Sequence, residues 1–266
     1  MVRPHRVWFA LALAAALALT LAFVFIPVLA IFIHTSPRRL VSTLGDSQST
    51  DALRLSLETT AIAVAVIAVV GTPAAYLLAT RSFPGKTLVV TVIELPLVLP
   101  PAVAGIGLLA ALGPDGILGR GFKHAFVFQT AGVVVAQIFV AAPFFLRLAQ
   151  TSFAAVERPL LDAARTLGSS EAGAFALVAV PVAMPGLSAG LALAWGRALG
   201  EFGATLMFAG SLQGITQTAP LAIYNEFANN FPAALALSAV LVIVSAAVLV
   251  TVKVVAEPAA LRGVAR

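Results

Sequence analysis

The chain has 266 residues, 61% of them hydrophobic and only 10% charged, with a mean hydropathy of +1.04; soluble domains run about 45–50% apolar and about 25% charged, so a soluble domain is excluded and an all-α integral membrane protein is predicted. No cysteine is present, which excludes disulfides, iron–sulfur clusters and thiol catalysis, and His5, His34 and His124 fall in separate polar segments that form no metal-ligand cluster. The net charge of +5 is what lysines and arginines that fix membrane orientation produce, and it names no substrate.

A helix rising about 1.5 Å per residue needs roughly 20 apolar residues to cross a hydrocarbon core near 30 Å. Six runs reach that length, at 7–33, 55–79, 88–112, 126–148, 177–199 and 233–255, and predict six transmembrane helices in a single domain over 1–266. The first follows Arg3, His5 and Arg6. It exceeds the 7–15 apolar residues of a signal peptide and ends in no small-residue cleavage site, so it reads as a retained helix.

The third run holds Glu94, Pro96, Pro100 and Pro101. Each proline removes a backbone donor and clashes with the preceding turn. Unwound backbone at membrane depth survives only under protein or beside a watery cavity, so 94–105 is expected to be broken and to line a pathway.

Between the fourth and fifth runs lies a polar stretch, 157–175, that predicts a helix, a glycine bend and a second helix. Glu157 and Pro159 suit a helix start, Leu160, Ala163, Ala164 and Leu167 share a face at three- and four-residue spacing, and Gly168 supplies a left-handed stop. Ser169 or Ser170 can cap the second helix, with Glu171 in its first turn. Ala163 and Ala164 keep one side thin enough to enter another protein's groove; an interfacial helix resting on headgroups is the other reading of this periodicity.

The fifth run carries Pro181, Pro185, Gly186 and Gly190 and is expected to be broken as well. Near its outer end Arg197 and Glu201 stand four apart and can pair, lowering the about 2.5–3.5 kcal/mol that a lone charge costs at mid-membrane. Arg197 can also face a central cavity and meet a passing anion. Gly200, Gly203 and Gly210 permit close helix approach, as a gate of packed small residues requires.

Lysines and arginines set the orientation. With the N-terminus in the cytoplasm, the inner segments hold Arg3, Arg6, Arg81, Lys86, Arg147, Arg158, Arg165, Lys253, Arg262 and Arg266, against Arg38, Arg39, Arg54, Arg120 and Lys123 outside. Ten against five predicts cytoplasmic termini, a cytoplasmic 162–181 segment, and outward loops at 34–54, 113–125 and 200–232.

Asp162-Ala163-Ala164, three residues, Gly168, nine residues, then Val178-Ala179-Val180-Pro181 resembles the EAA loop of bacterial ABC importer permeases, with Asp for Glu and Val for Ile and Leu. The resemblance implies a type I permease fold whose coupling helix docks into a nucleotide-binding subunit, with Glu157, Asp162, Ala163, Ala164, Gly168 and Pro181 at the coupling site. Arg197 to Gly210, with Thr216-Gln217-Thr218 and Pro220 to Tyr224, resembles the signature of molybdate permeases, and Leu95 to Pro101 resembles the third-helix motif of that family. Tungstate permeases are close relatives and sulfate or thiosulfate permeases share the Gly-Glu-aromatic-Gly core. Glu94, Pro96, Pro100, Pro101, Arg197, Gly200, Glu201, Gly203 and Thr205 are the pathway and gate residues so implied.

The implied machine is a homodimer of this chain in a prokaryotic cell membrane, two ATP-binding cassette subunits in the cytoplasm and an extracytoplasmic oxyanion-binding protein, with no nucleic acid. The chain has no G-x-x-x-x-G-K-[ST] phosphate loop, so it is not the ATPase; it is expected to bind no cofactor, with ATP and magnesium used by the partner. A proton-coupled secondary transporter could use Glu94 and Glu201, but such folds carry internal repeats that the six segments lack. A membrane enzyme would need reactive groups gathered at one depth, and none are.

Overall fold

A computed structural model describes residues 4–122 and 125–264, with side-chain surroundings for all of these except 4–7, 120, 122 and 252–264. Arg3, Lys123 and Arg266 of the charge count, and His124, lie outside the described residues. In chain order the helices are α1 (Pro4–Ile33), α2 (Pro37–Gly45), α3 (Ser47–Thr80), α4 (Lys86–Val98), α5 (Pro101–Leu112), α6 (Gly119–Phe122) and α7 (Thr130–Ala154). Then follow α8 (Arg158–Thr166), α9 (Glu171–Ala174), a π turn at Phe175–Ala179, α10 (Val180–Leu199), α11 (Gly203–Phe208), α12 (Ala219–Asn229) and α13 (Phe231–Val264). Five stretches are long and apolar enough to cross a membrane, and six if the bent pair α4 and α5 counts as one span.

The centre is the packing of α7 against α3 and α10. Ile67, Ala75, Phe145, Ala149, Phe153, Ala183, Leu187, Ala194 and Ala198 form its largest buried cluster. Alanine dominates it because, without a hydrophobic drive between helices in lipid, close backbone approach supplies the attraction. Buried polar groups tie helices to α3: Gln137 Nε2 of α7 donates to Thr60 Oγ1 of α3 at 3.3 Å, and Ala219 N–H of α12 donates to Ser56 Oγ of α3 at 2.7 Å. Helix α1 stands outside this packing, and none of its span residues is buried.

The third predicted span is broken, but not at every proline. Helix α4 runs through Pro96, and the break falls at Leu99 and Pro100, both extended, after which Pro101 opens α5 and the axis turns by 119°. Each residue preceding a proline is pushed out of the α region, and Pro100–Pro101 does this twice in succession. The pair still advances along α7 in one direction. Val90, Ile93 and Glu94 lie beside Pro143, Leu146 and Arg147, whereas Ala104 and Leu108 pack with Ala136 and Val140.

The fifth predicted span corrects its expectation, because it is not broken. Glu171–Leu199 is one continuous apolar stretch, helical through Pro185. Strain at Pro181 is absorbed one turn earlier, where the π turn has Val180 N–H donating to Phe175 O, five residues back. Widening the turn makes room for a proline ring that would strike the carbonyl four residues before it. The segment 200–232, expected as a loop, is likewise more than that: α11 and α12 fold onto α5, α7 and α13 and bury Glu201, Thr205, Thr216, Gln217 and Thr218.

Candidate functional site: an elbow at one end and a sealed junction at the other

The elbow has the predicted shape. Leu167 ends α8, Gly168 takes φ +91, Gly168 N–H donates to Arg165 O at 2.9 Å and Ser169 N–H to Ala164 O at 3.0 Å. That pair of reversed bonds is a Schellman closure, which asks for a residue free to enter the left-handed region. Ser170 rather than Ser169 caps α9, its Oγ accepting from Gly173 N–H at 3.1 Å. Glu157 precedes α8 without capping it through its side chain.

The elbow's faces correct the expectation. Leu161 is buried and Ala164 packs beside it, in contact with the cluster that holds Phe153, Val156 and Ala174. Tyr76, Phe153 and Phe175 stack around that seam, with ring centroids 4.8 to 6.1 Å apart. Leu160, Ala163 and Leu167 face outward instead, Leu167 at 88% exposure. These three residues leave an apolar strip open on the polar elbow.

Arg165 bridges the bend. Its guanidinium meets Asp162 Oδ1 at 2.8 Å on α8 and Glu171 Oε1 at 2.8 Å on α9. Both carboxylates raise its pKa above the ordinary arginine value, the Glu171 hydrogen bond first and Asp162 next. Sequence spacing suggested nothing of the bridge, because six residues and a reversal separate Arg165 from Glu171.

At the other end, α10 stops at Gly200 and α11 begins at Gly203. Glu201 sits between them at 1% exposure; one carboxylate oxygen accepts from Ala204 N–H at 2.7 Å and the other lies 2.6 Å from Arg197 Nη1. The predicted ion pair is present. Arg197 also borders a groove of about 670 Å³ between α7, α10 and α13, whose other walls include Phe144, Leu193, Trp195 and Leu241.

Two motifs a hundred residues apart meet here. A Cβ on Gly203 would lie 2.7 Å from Pro101 Cβ, and one on Gly105 would lie 2.6 Å from Ala204 O. Helices α5 and α11 therefore touch backbone to backbone. Thr205 is fully buried in this junction, and its hydroxyl has no hydrogen-bond partner among the described residues. Gly105 entered the sequence reading only as the last residue of the 94–105 stretch and was not singled out for close approach, although its place four residues after Pro101 was visible.

Gly200 corrects the close-approach reading: the nearest atom to an added Cβ would be its own helix's Gly196 O at 3.4 Å. Gly210 fits it, with φ +76 and Phe128 2.9 Å from an added Cβ. Glu94 is not buried. Its side chain is 38% exposed and lies 3.9 Å from Arg147, near Leu78 and Gln150. Pro96 lies within α4, two residues beyond Glu94, whereas Pro100 and Pro101 lie at the break and only Pro101 reaches the α11 junction. Pro181 sits just beyond the π turn.

Residues 71–259 match the family of binding-protein-dependent transport system inner membrane components. The molybdenum transport system permease protein ModB of Mycobacterium tuberculosis is 39% identical over 230 residues, 85% of this chain and 87% of its own. NifC of Clostridium pasteurianum, a probable transport system permease, is 33% identical over 85% of this chain and 81% of its own. The molybdate/tungstate permease protein WtpB of Pyrococcus abyssi is 36% identical over 69% and 71%. Among solved structures, a chain of a bacterial ABC transporter that imports alginate superposes with a TM-score of 0.76 at 14% identity, covering 96% of both chains. A chain of the inward-facing methionine transporter MetNI does so at 0.60 and 14%, covering 79% of this chain and 94% of that one.

Proposed function

Because the chain belongs to the family of inner membrane components of binding-protein-dependent transport systems, a multi-pass permease whose ATPase is a separate subunit, we propose that it carries molybdate into the cell by alternating access. The apolar outer face of the elbow, Leu160, Ala163 and Leu167, held at a fixed angle by Gly168 and the Arg165 bridge, carries the coupling half of this reading. ATP-driven closure of two cassette subunits draws the elbows of two copies together. Through Pro181 and the continuous helix to Leu199, that motion reaches Arg197, Glu201 and the α5–α11 junction. Both termini and the elbow lie in the cytoplasm, as the lysine and arginine distribution favours.

An extracytoplasmic binding protein delivers the oxyanion on the opposite side. Arg197 is already neutralised by Glu201 at 2.6 Å, so the path repels the anion little and holds it weakly, as release demands. Selectivity then belongs to the binding protein. Molybdate leads because relatives that share most of this chain's length bear that name; the molybdate/tungstate relative favours tungstate as the second cargo. No cofactor is assigned to this chain.

The test is uptake by proteoliposomes holding the permease, its ATPase and its binding protein. Molybdate uptake is expected to require ATP and to exceed sulfate uptake; ATP-independent uptake overturns the importer. Gly168→Asp is expected to abolish binding-protein-stimulated ATP hydrolysis while leaving membrane insertion intact. Normal stimulated hydrolysis in that variant would sink the coupling assignment.

A further inference from the structure

The connection between α1 and α3 folds into a helix whose surface divides in three. Ser36 opens α2 and Asp46 closes it while capping α3, Asp46 Oδ2 accepting from Ser49 N–H at 2.9 Å. On one side Leu40 and Thr43 turn inward, Leu40 packing on the cluster of Ala52, Leu53, Ala222 and Leu237 from α3, α12 and α13. At 3.6 residues per turn, Val41 and Leu44 share a second stripe; they are 72% and 53% exposed. Arg38 and Arg39 flank the third, exposed and without an ion-pair partner among the described residues.

We propose that α2 is an interfacial anchor that binds the headgroup phosphate of an anionic phospholipid through Arg38 and Arg39, with Val41 and Leu44 seated at the acyl boundary. Position argues for it: α1, apolar with no span residue buried, ends at Ile33, and α3 begins at Ser47, so α2 lies where two membrane helices leave the bilayer. Chemistry argues for it too. A free anion would need the arginines but not the open valine and leucine beside them, whereas a lipid uses both, as interfacial amphipathic helices do. It also gives a counterion to two arginines that otherwise weigh against the orientation count.

The chain has no cysteine, so single spin labels report cleanly from the full-length protein in lipid nanodiscs. A label at Val41→Cys is expected to meet oxygen more than a water-soluble nickel chelate, and one at Ser42→Cys the reverse. In discs of equal phosphatidylglycerol and phosphatidylcholine, native mass spectrometry is expected to find phosphatidylglycerol preferentially retained. Arg38→Gln with Arg39→Gln should lower that preference about 25-fold, roughly fivefold per arginine. Inorganic phosphate should not compete, and Arg38→Lys with Arg39→Lys should restore the preference, which separates charge from misfolding.

Three results overturn the proposal. One is unchanged lipid preference in the glutamine variant, and another is a water-facing label at residue 41. The third is loss of binding-protein-stimulated ATPase by the glutamine variant in discs of phosphatidylcholine alone, which would assign the arginines to a protein partner.

Discussion

Glu201 is the side chain whose partner matters most. Its carboxylate is 1% exposed and held by Arg197 and by Ala204 N–H. Removing one member of a buried pair costs about 3–5 kcal/mol. Arg197 keeps 28% of its side chain open to solvent, which places Arg197→Ala near the lower end, about 3 kcal/mol. The double change Arg197→Ala, Glu201→Ala strands no charge and loses chiefly the hydrogen bond from Ala204 N–H, about 2 kcal/mol. Urea unfolding in detergent should therefore find the single variant less stable than the double; losses that simply add would give the two residues separate roles. Thr205 poses the opposite case, a buried hydroxyl with no hydrogen-bond partner among the described residues. Thr205→Val keeps its shape and should raise stability by about 1 kcal/mol. A fall in uptake alongside that rise would assign the hydroxyl to the pathway, and a fall in stability would show that it has a partner in the folded protein.

At the level of elements, the elbow was readable because its signals are local. Proline at a first turn, a glycine at the left-handed position and a capping serine each act within a few residues, and the structure follows them from Glu157 to Ala174. Which side of α8 faces the core was not readable: Leu160 and Leu161 differ only in what folds against them, and Phe153, Val156 and Ala174 take Leu161. The prolines show the same limit. Pro96 and Pro185 stay inside helices, Pro100–Pro101 breaks one, and Pro181 is accommodated by a π turn; the doubled proline was the decisive cue. The Arg165 bridge gives a prediction at this scale. Arg165→Ala should leave the melting temperature unchanged, since exposed ion pairs add little to global stability, while binding-protein-stimulated ATP hydrolysis falls. Hydrolysis at the unaltered level would make the bridge incidental.

Across the whole molecule, the contacts that define the α5–α11 junction join distant stretches of chain, and no spacing rule reaches that far. Pro101 and Gly203 were each singled out, one for broken backbone and the other for close approach, yet only the fold brings them together. The segment 200–232 read as a loop because its helices are short and its polar residues many, and it is the burial of Gln217 and Thr218 that makes it part of the packed body. The π turn at Phe175–Ala179 links the two ends in a way that packing does not express. A π turn holds one residue more than the α turn it replaces within the same full rotation, so the helix beyond it keeps the phase it would have without the extra residue. Deleting Ala176 should therefore leave Arg197 and Glu201 in nearly the same phase relative to the elbow, while driving the Pro181 ring against the carbonyl four residues before it. The melting temperature should fall while the elbow itself still folds, as cysteine cross-linking between α8 and α9 would report; unchanged stability would show that the Pro181 ring does not need the widened turn. The wide turn at the foot of the stretch from Glu171 to Leu199 is slack in the shaft, taking up a proline without turning what stands above it.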